Sequence, residues 1–151
     1  MSPRKASIEP TPRELQQLDE MSRGKSYLQA ADALGIAEDT VRATMRRLYR
    51  RIGARDRSHA VSIAVYRGWL TVPPSTDRVD LTSDELLLLA FISTGRTYRE
   101  IGPHTGVTEA IVQERAARLF PKLGVRDRTH AVRRGYELGL IRPLPSVGAR
   151  G

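Results

Sequence analysis

The chain of 151 residues contains no cysteine, which excludes a disulfide framework and a thiolate metal site. No apolar run approaches the roughly 18 residues that a membrane span needs, and the N-terminal MSPRKASIE lacks the apolar stretch of a signal peptide. A soluble intracellular protein with no membrane partner is expected. β-Branched alternation is nowhere sustained, so no sheet is expected. Histidine is scarce: His59, His104 and His130 stand without neighbouring ligands at metal spacing. There is no phosphate-cradling glycine loop and no nucleophile elbow. Neither an enzyme nor a cofactor is expected. Lysine is almost missing, with 3 against 22 arginines, which fits a GC-rich genome as well as a function. The formal charge is +8, a balance that favours a polyanionic partner, nucleic acid above all, although a generic basic protein has it too.

What the chain does contain is one text written twice. GARDRSHAV at 53–61 returns as GVRDRTHAV at 124–132, an offset of 71. At that offset 10–70 align with 81–141 without a gap, and 20 of 61 positions are identical, among them Thr11/Thr82, Glu14/Glu85, Gly35/Gly106 and Val41/Val112. Two adjacent copies of one folded unit explain this. A unit of some 60 residues is marginal alone, so contact between the copies would stabilise both. The expected division is a basic arm at 1–9, a first domain at 10–70, a linker at 71–80 around Pro73 and Pro74, a second domain at 81–141 and a tail at 142–151.

Each copy reads as four short helices. In the first, Thr11, Pro12 and Glu14 form a capping box with proline at the first helical position. A second helix opens on Ser26 and closes on Gly35. In a third, Val41, Met45, Leu48 and Ile52 make an amphipathic stripe that Gly53 ends. Asp56 caps a fourth. The middle, SYLQAADALGIAEDTVRATMRRLYRRI, is helix, glycine turn, helix, with Ile36 in the corner. In such a helix-turn-helix the second helix can enter a DNA major groove.

With its T-x-x-E-L, L-G-I-x-x-x-T-V-R and R-I-G-A-R-D-R-x-H-A-V elements in order, the first copy resembles the DNA-binding domain of LuxR/GerE-type transcription regulators. The second copy resembles it too. The resemblance implies an all-α fold of two tandem four-helix LuxR-type domains, with double-stranded DNA as partner and transcription regulation as function. It places Arg42, Ala43 and Arg46 at base edges, and Thr40, Thr44 and Arg47 near phosphates. Arginine suits base reading because its fork grips guanine O6 and N7 together. Arg50 and Arg51, a turn further on, fit backbone contact. The plain alternative is that this arginine row is a solvated face. A receiver or ligand-binding domain of the kind that usually precedes such a domain is not expected within these 151 residues.

The second copy departs where reading would occur. Arg42, Ala43 and Arg46 become Gln113, Glu114 and Ala117, while Arg115, Arg118 and Lys122 are basic. Gln113, Arg115 and Arg118 are its candidate DNA contacts. Pro103 is expected to interrupt its second helix, and Pro121 to bend or end its third. Its first helix, ELLLLAFIS, is apolar nearly all round, so cover on more than one face is expected, from the first copy or from a second chain. The alternative is an ordinary greasy core helix. The resemblance implies dimer contact through the fourth helices, so a homodimer through them or through 85–92 is a candidate. RDRxHAV reads mainly as structure: Asp56 and Asp127 cap helix starts, and Arg55, Arg57, Arg126 and Arg128 pair nearby or touch phosphates. Two rivals to specific reading remain at this point. One is a module that binds RNA polymerase, a sigma factor or another regulator. The other is nonspecific coating of DNA.

Overall fold

A computed structural model describes residues 8–142. The expected arm at 1–9 lies outside them except for its last two residues, and the expected tail except for Arg142. Among the described residues there are eight helices and no strand. They are α1 Pro12–Ser22, α2 Tyr27–Leu34, α3 Glu38–Ile52, α4 Arg57–Tyr66, α5 Ser83–Ser93, α6 Tyr98–Thr105, α7 Glu109–Leu123 and α8 Arg128–Glu137. The all-helical expectation holds. The second four repeat the lengths of the first four, 11, 8, 15 and 10 residues.

The capping chemistry repeats with them. Thr11 with Glu14 and Thr82 with Glu85 form capping boxes on α1 and α5. Ser26 with Gln29 and Thr97 with Glu100 do so on α2 and α6. Each box satisfies two N–H groups that a helix start leaves without an intrahelical partner. Asp56 and Asp127 accept the backbone N–H of His59 and His130, each at 2.8 Å. Neither proline ends its helix. α6 runs through Pro103 to Thr105, and α7 runs through Pro121 to Leu123, as long as α3. Burial of Val112, Ala116, Leu119 and Leu123 holds α7 against the core, and packing of this kind outweighs the one hydrogen bond that a proline removes.

The halves lie against each other reciprocally. α4 packs along α8, α1 packs on α8, and α5 packs on α4. Ala60, Val61, Ala131 and Val132 are fully buried on the paired fourth helices. Near the helix starts Ser58 Oγ stands 3.5 Å from Thr129 Oγ1, its own equivalent in the repeat. The approach is close enough to require glycine. A Cβ on Gly24 (φ +85°) would stand 2.6 Å from His130 Nδ1, and one on Gly95 (φ +80°) would stand 2.9 Å from the Cβ atoms of Arg55 and His59. His59 Nδ1 accepts the Arg55 N–H at 3.0 Å, and His130 Nδ1 accepts that of Arg126 at 3.2 Å.

This packing answers two expectations. The apolar α5 is covered on several sides, by α4 as well as α7 and α8, and only Leu87, 44% exposed, points away. The cover beyond its own half comes from α4, in the first half of the same chain. The fourth helices, expected as a surface for a second chain, are occupied by one another. The linker is tethered too: Ser75 N–H donates to Glu137 O at 2.7 Å, and Arg134 pairs with Asp77 at 2.8 Å.

One polar group crosses the seam where it is deepest. Arg133 on α8, 3% exposed, donates to Asp19 Oδ1 at 2.6 Å and Ser22 Oγ at 2.8 Å on α1, and to Glu137 at 3.3 Å. Removing one partner of a buried pair strands the other. Arg133→Ala is expected to cost about 2 kcal/mol in urea unfolding, below the roughly 3–5 kcal/mol of a fully buried pair, because Asp19 is 29% exposed and keeps Arg23 at 3.2 Å. A loss within ~0.5 kcal/mol, as for an ordinary surface substitution, would show that the seam does not depend on it.

The seam also titrates. Burial pushes His59 and His130 below the ordinary histidine value, against Asp56 for the first and Asp127 and Glu137 for the second. Arg55 lowers His59 further, and Arg126 and Arg133 lower His130 further. The unfolded chain therefore binds more protons than the folded one below about pH 6.5. Stability from these groups is complete above that pH and lost as the pH falls through the folded values. Denaturant titrations are expected to show a decline as the pH falls below roughly 6.5, and His59→Gln with His130→Gln to flatten it. An unchanged slope in the double variant would refute this.

Candidate nucleic-acid interface

The helix-turn-helix is built by its turn. Gly35 takes the left-handed conformation at φ 66° that ends α2. Ile36 N–H then donates to Ala31 O at 3.0 Å, and its side chain packs half-buried against the core. α3 starts on Ala37 without a side-chain cap. Glu38 and Asp39 in its first turn complement the positive helix end instead. Val41, Met45, Leu48 and Ile52 bury one stripe, and the 3.6-residue period turns Ala43, Arg46, Arg47 and Arg50 away from it.

The structure sorts the α3 candidates into unlike groups. Arg46, Arg47 and Arg50 are exposed and make no hydrogen bond or ion pair among the described residues. Thr40 is exposed, and Ala43 and Thr44 are half-buried. Thr40, Thr44 and Arg47 line a cleft of about 400 Å³ toward α1, beside Arg13. Arg42 is held: its guanidinium pairs with Glu38 at 2.8 Å and lies 4.5 Å from the centre of the Tyr27 ring. Arg51, expected at the DNA backbone, instead pairs with Glu14 and reaches Ile8 O at 3.5 Å. Burial pushes the Glu14 carboxyl up, but Arg51 and the Thr11 N–H more than reverse this and leave it below its ordinary value. The repeat-equivalent Lys122 pairs with Glu85 at 2.9 Å. This position ties the third helix to the first in both halves.

On α7 the charges are largely cancelled. Glu114 pairs with Arg118 at 2.7 Å along the helix, Gln113 is exposed, and Arg115 is half-buried. Proline stands where α3 has Arg50, and alanine where it has Arg46. Three unpaired arginines thus face outward on α3, and none of their α7 equivalents is a free exposed cation.

Tyr27 and Glu38 were absent from the expected site, though both hold Arg42. The Glu38–Arg42 spacing of four residues is a legible helical ion pair. The Tyr27 contact carries no local signal, because it forms between helices. Among the described residues no three His, Cys, Asp or Glu side chains could hold a metal ion, and no helix is long and apolar enough to cross a membrane.

Comparison with known proteins agrees with this geometry in the first half. Residues 11–64 match the family model for bacterial regulatory proteins of the luxR family. The chain is 40% identical over 63 residues to the transcriptional activator protein EchR of Dickeya chrysanthemi, covering 42% of this chain and 25% of that protein. It is 39% identical over 73 residues to EsaR of Pantoea stewartii subsp. stewartii, covering 48% and 29%. With ExpR of Pectobacterium parmentieri it shares 34% over 91 residues, covering 58% and 37%. The matched stretch thus spans well under half the length of these relatives. No solved structure matches the chain. The family match takes in α1 to α3 and most of α4, and residues 11–64 are one LuxR-family helix-turn-helix domain.

Proposed function

We propose that the protein is a sequence-specific, double-stranded-DNA-binding transcription regulator that reads the major groove with α3. The observation that carries this is the row of Arg46, Arg47 and Arg50, unpaired and outward on the second helix of a LuxR-family helix-turn-helix. Unpaired guanidinium groups cost little to bring to a polyanion, because no internal partner has to be given up. Arg46 with Ala43 addresses base edges. Thr40, Thr44 and Arg47 face the backbone on the α1 side, and Arg50 follows it further on. Arg42 reads bases only by exchanging Glu38 for a guanine edge.

The same reading takes α5–α8 as a second, diverged LuxR-type domain. Matching helix lengths, matching caps and the reciprocal seam support this. The chain then works as a dimer of such domains would, with α3 and α7 related by the packing of α4 on α8. Gln113, Arg115 and Arg118 are its weaker DNA contacts, and the two halves of a target site are expected to differ. A second reading gives α5–α8 a protein partner, such as RNA polymerase or another regulator. It draws on Leu87 and Ile111, 44% and 39% exposed.

Selection from a random-sequence duplex pool, at two salt concentrations, tests the proposal. An enriched motif that survives the higher salt is expected. On that motif Arg46→Ala is expected to cost about 1–3 kcal/mol, and less on unrelated duplexes. Arg42→Ala is expected to cost less than Arg46→Ala, since Arg42 starts from an ion pair. Equal losses on all sequences would reduce the function to coating, and no binding by the unaltered chain would turn the search to a protein partner.

A further inference from the structure

A cleft of about 730 Å³ opens between the start of α2 and the residues just before α8. It is lined from both halves of the chain. The first half supplies Tyr27, Gln29, Arg42 and Arg57, and the second supplies Arg126. Two carboxylates are present as well, and both are engaged. Glu38 pairs with Arg42 at 2.8 Å, and Asp127 accepts the His130 N–H at 2.8 Å. Arg57 lies 5.1 Å from the centre of the Tyr27 ring, and neither it nor Arg126 has an ion-pair partner among the described residues. The cleft therefore holds two guanidinium groups without an ion-pair partner, contributed by opposite halves, and its three arginines outnumber its two carboxylates.

The repeat supplies an internal comparison. At the offset of 71, the counterparts of Arg126, Arg57, Arg42 and Gln29 are Arg55, Arg128, Gln113 and Glu100. There every cation is consumed or absent. Both Glu100 oxygens accept from Arg55 at 2.7 Å. Arg128 donates to Arg96 O at 2.6 Å and reaches Asp56 at 3.5 Å. The third arginine is a glutamine. Arg55 beside Glu100, with the Thr97 N–H, holds that carboxyl down at about 2, so the pair stays charged and closed at neutral pH. One difference, glutamine at 29 against glutamic acid at 100, leaves Arg126 free and Arg55 bound.

We propose that this cross-half cleft takes a phosphodiester group of bound DNA, with Arg126 of the second half and Arg57 of the first as its cations. The second half thus strengthens binding by the first through Arg126, whether or not α7 touches a base. The inference rests on the DNA-binding reading above. A phosphate contact positions the duplex and carries no sequence information, and it adds about one released counterion to the salt dependence.

The test uses Gln29→Glu, which recreates at the cleft the arrangement that closes its counterpart. Glutamic acid serves the Ser26 capping box as well as glutamine does, so the fold is kept, and a thermal melt checks it. Fluorescence anisotropy is measured with the full chain on the pool-selected duplex and on an unrelated one, across salt concentrations. Gln29→Glu is expected to weaken both duplexes alike, roughly five- to tenfold near 0.1 M salt, and to shrink the slope of log affinity on log salt by about one. Arg126→Ala is expected to do the same. The two together are expected to do little more than either alone, because both remove one contact. Unchanged affinity and slope in both variants, with Arg46→Ala still losing the selected site, would overturn the cleft and leave the DNA reading standing. Failure of the unaltered chain to bind any duplex would overturn both. Inorganic pyrophosphate is titrated in parallel. Binding of it that Gln29→Glu abolishes, with DNA affinity unmoved, would assign the cleft to a soluble phosphate ligand and overturn the proposal.

Discussion

The seam between α4 and α8 is the constraint on which the rest of the molecule depends. Each four-helix half, at some 60 residues, is marginal alone, and each lays a face of its fourth helix on the other. On that face the buried Ser58 and Thr129 meet with their hydroxyl oxygens 3.5 Å apart. Small side chains let the helices approach closely. Gly24 and Gly95 let the loop after the first helix of each half do the same against His130 and His59. Apolar burial supplies the driving force, and several polar groups caught within it find partners, while the buried Arg128 Nε has none. Arg133 finds Asp19 and Ser22, and the Tyr136 hydroxyl donates to Ser62 Oγ at 2.7 Å.

Against this shared frame the two halves differ in their outward charge. α3 and α7 have the same length, α3 packs on α1, α2 and α4, and α7 packs on α5, α6 and α8, so the two differ chiefly in their outward side chains. α3 keeps its arginines outward and unpaired. α7 cancels Glu114 against Arg118 and has a proline and an alanine where α3 has arginines. What is shared between the third helices is structural: the buried stripe, and the cation at position 51 or 122 that reaches back to Glu14 or Glu85. Burial at the seam constrains both copies. An outward charge is under no such constraint.

Much of the local structure was legible because it is governed by contacts within a few residues. Thr11, Pro12 and Glu14 announce a helix start in any context. Gly35 announces a left-handed turn, and Val41, Met45, Leu48 and Ile52 announce a buried stripe. Pro103 and Pro121 misled for the same reason. Proline's local penalty is real, but it is small beside the burial of a whole helix face, which no window of a few residues contains. Likewise RDRxHAV was legible as a capped helix start, but not as the element each half lays against the glycine turn of the other.

The sequence by itself determined the helices, their caps and the duplication, because hydrogen bonds at helix ends and the 3.6-residue period are set by near neighbours. It also determined that α5 would need unusual cover. The tertiary structure alone decided what covers it, since α4 and α5 are brought together only when the chain folds back across the linker. It decided too which arginines are free. Arg46 and Arg51 look alike in a basic run, yet one faces solvent and the other is tied to Glu14, 37 residues away. Charge along a chain is additive, but availability depends on where the nearest carboxylate lies in space.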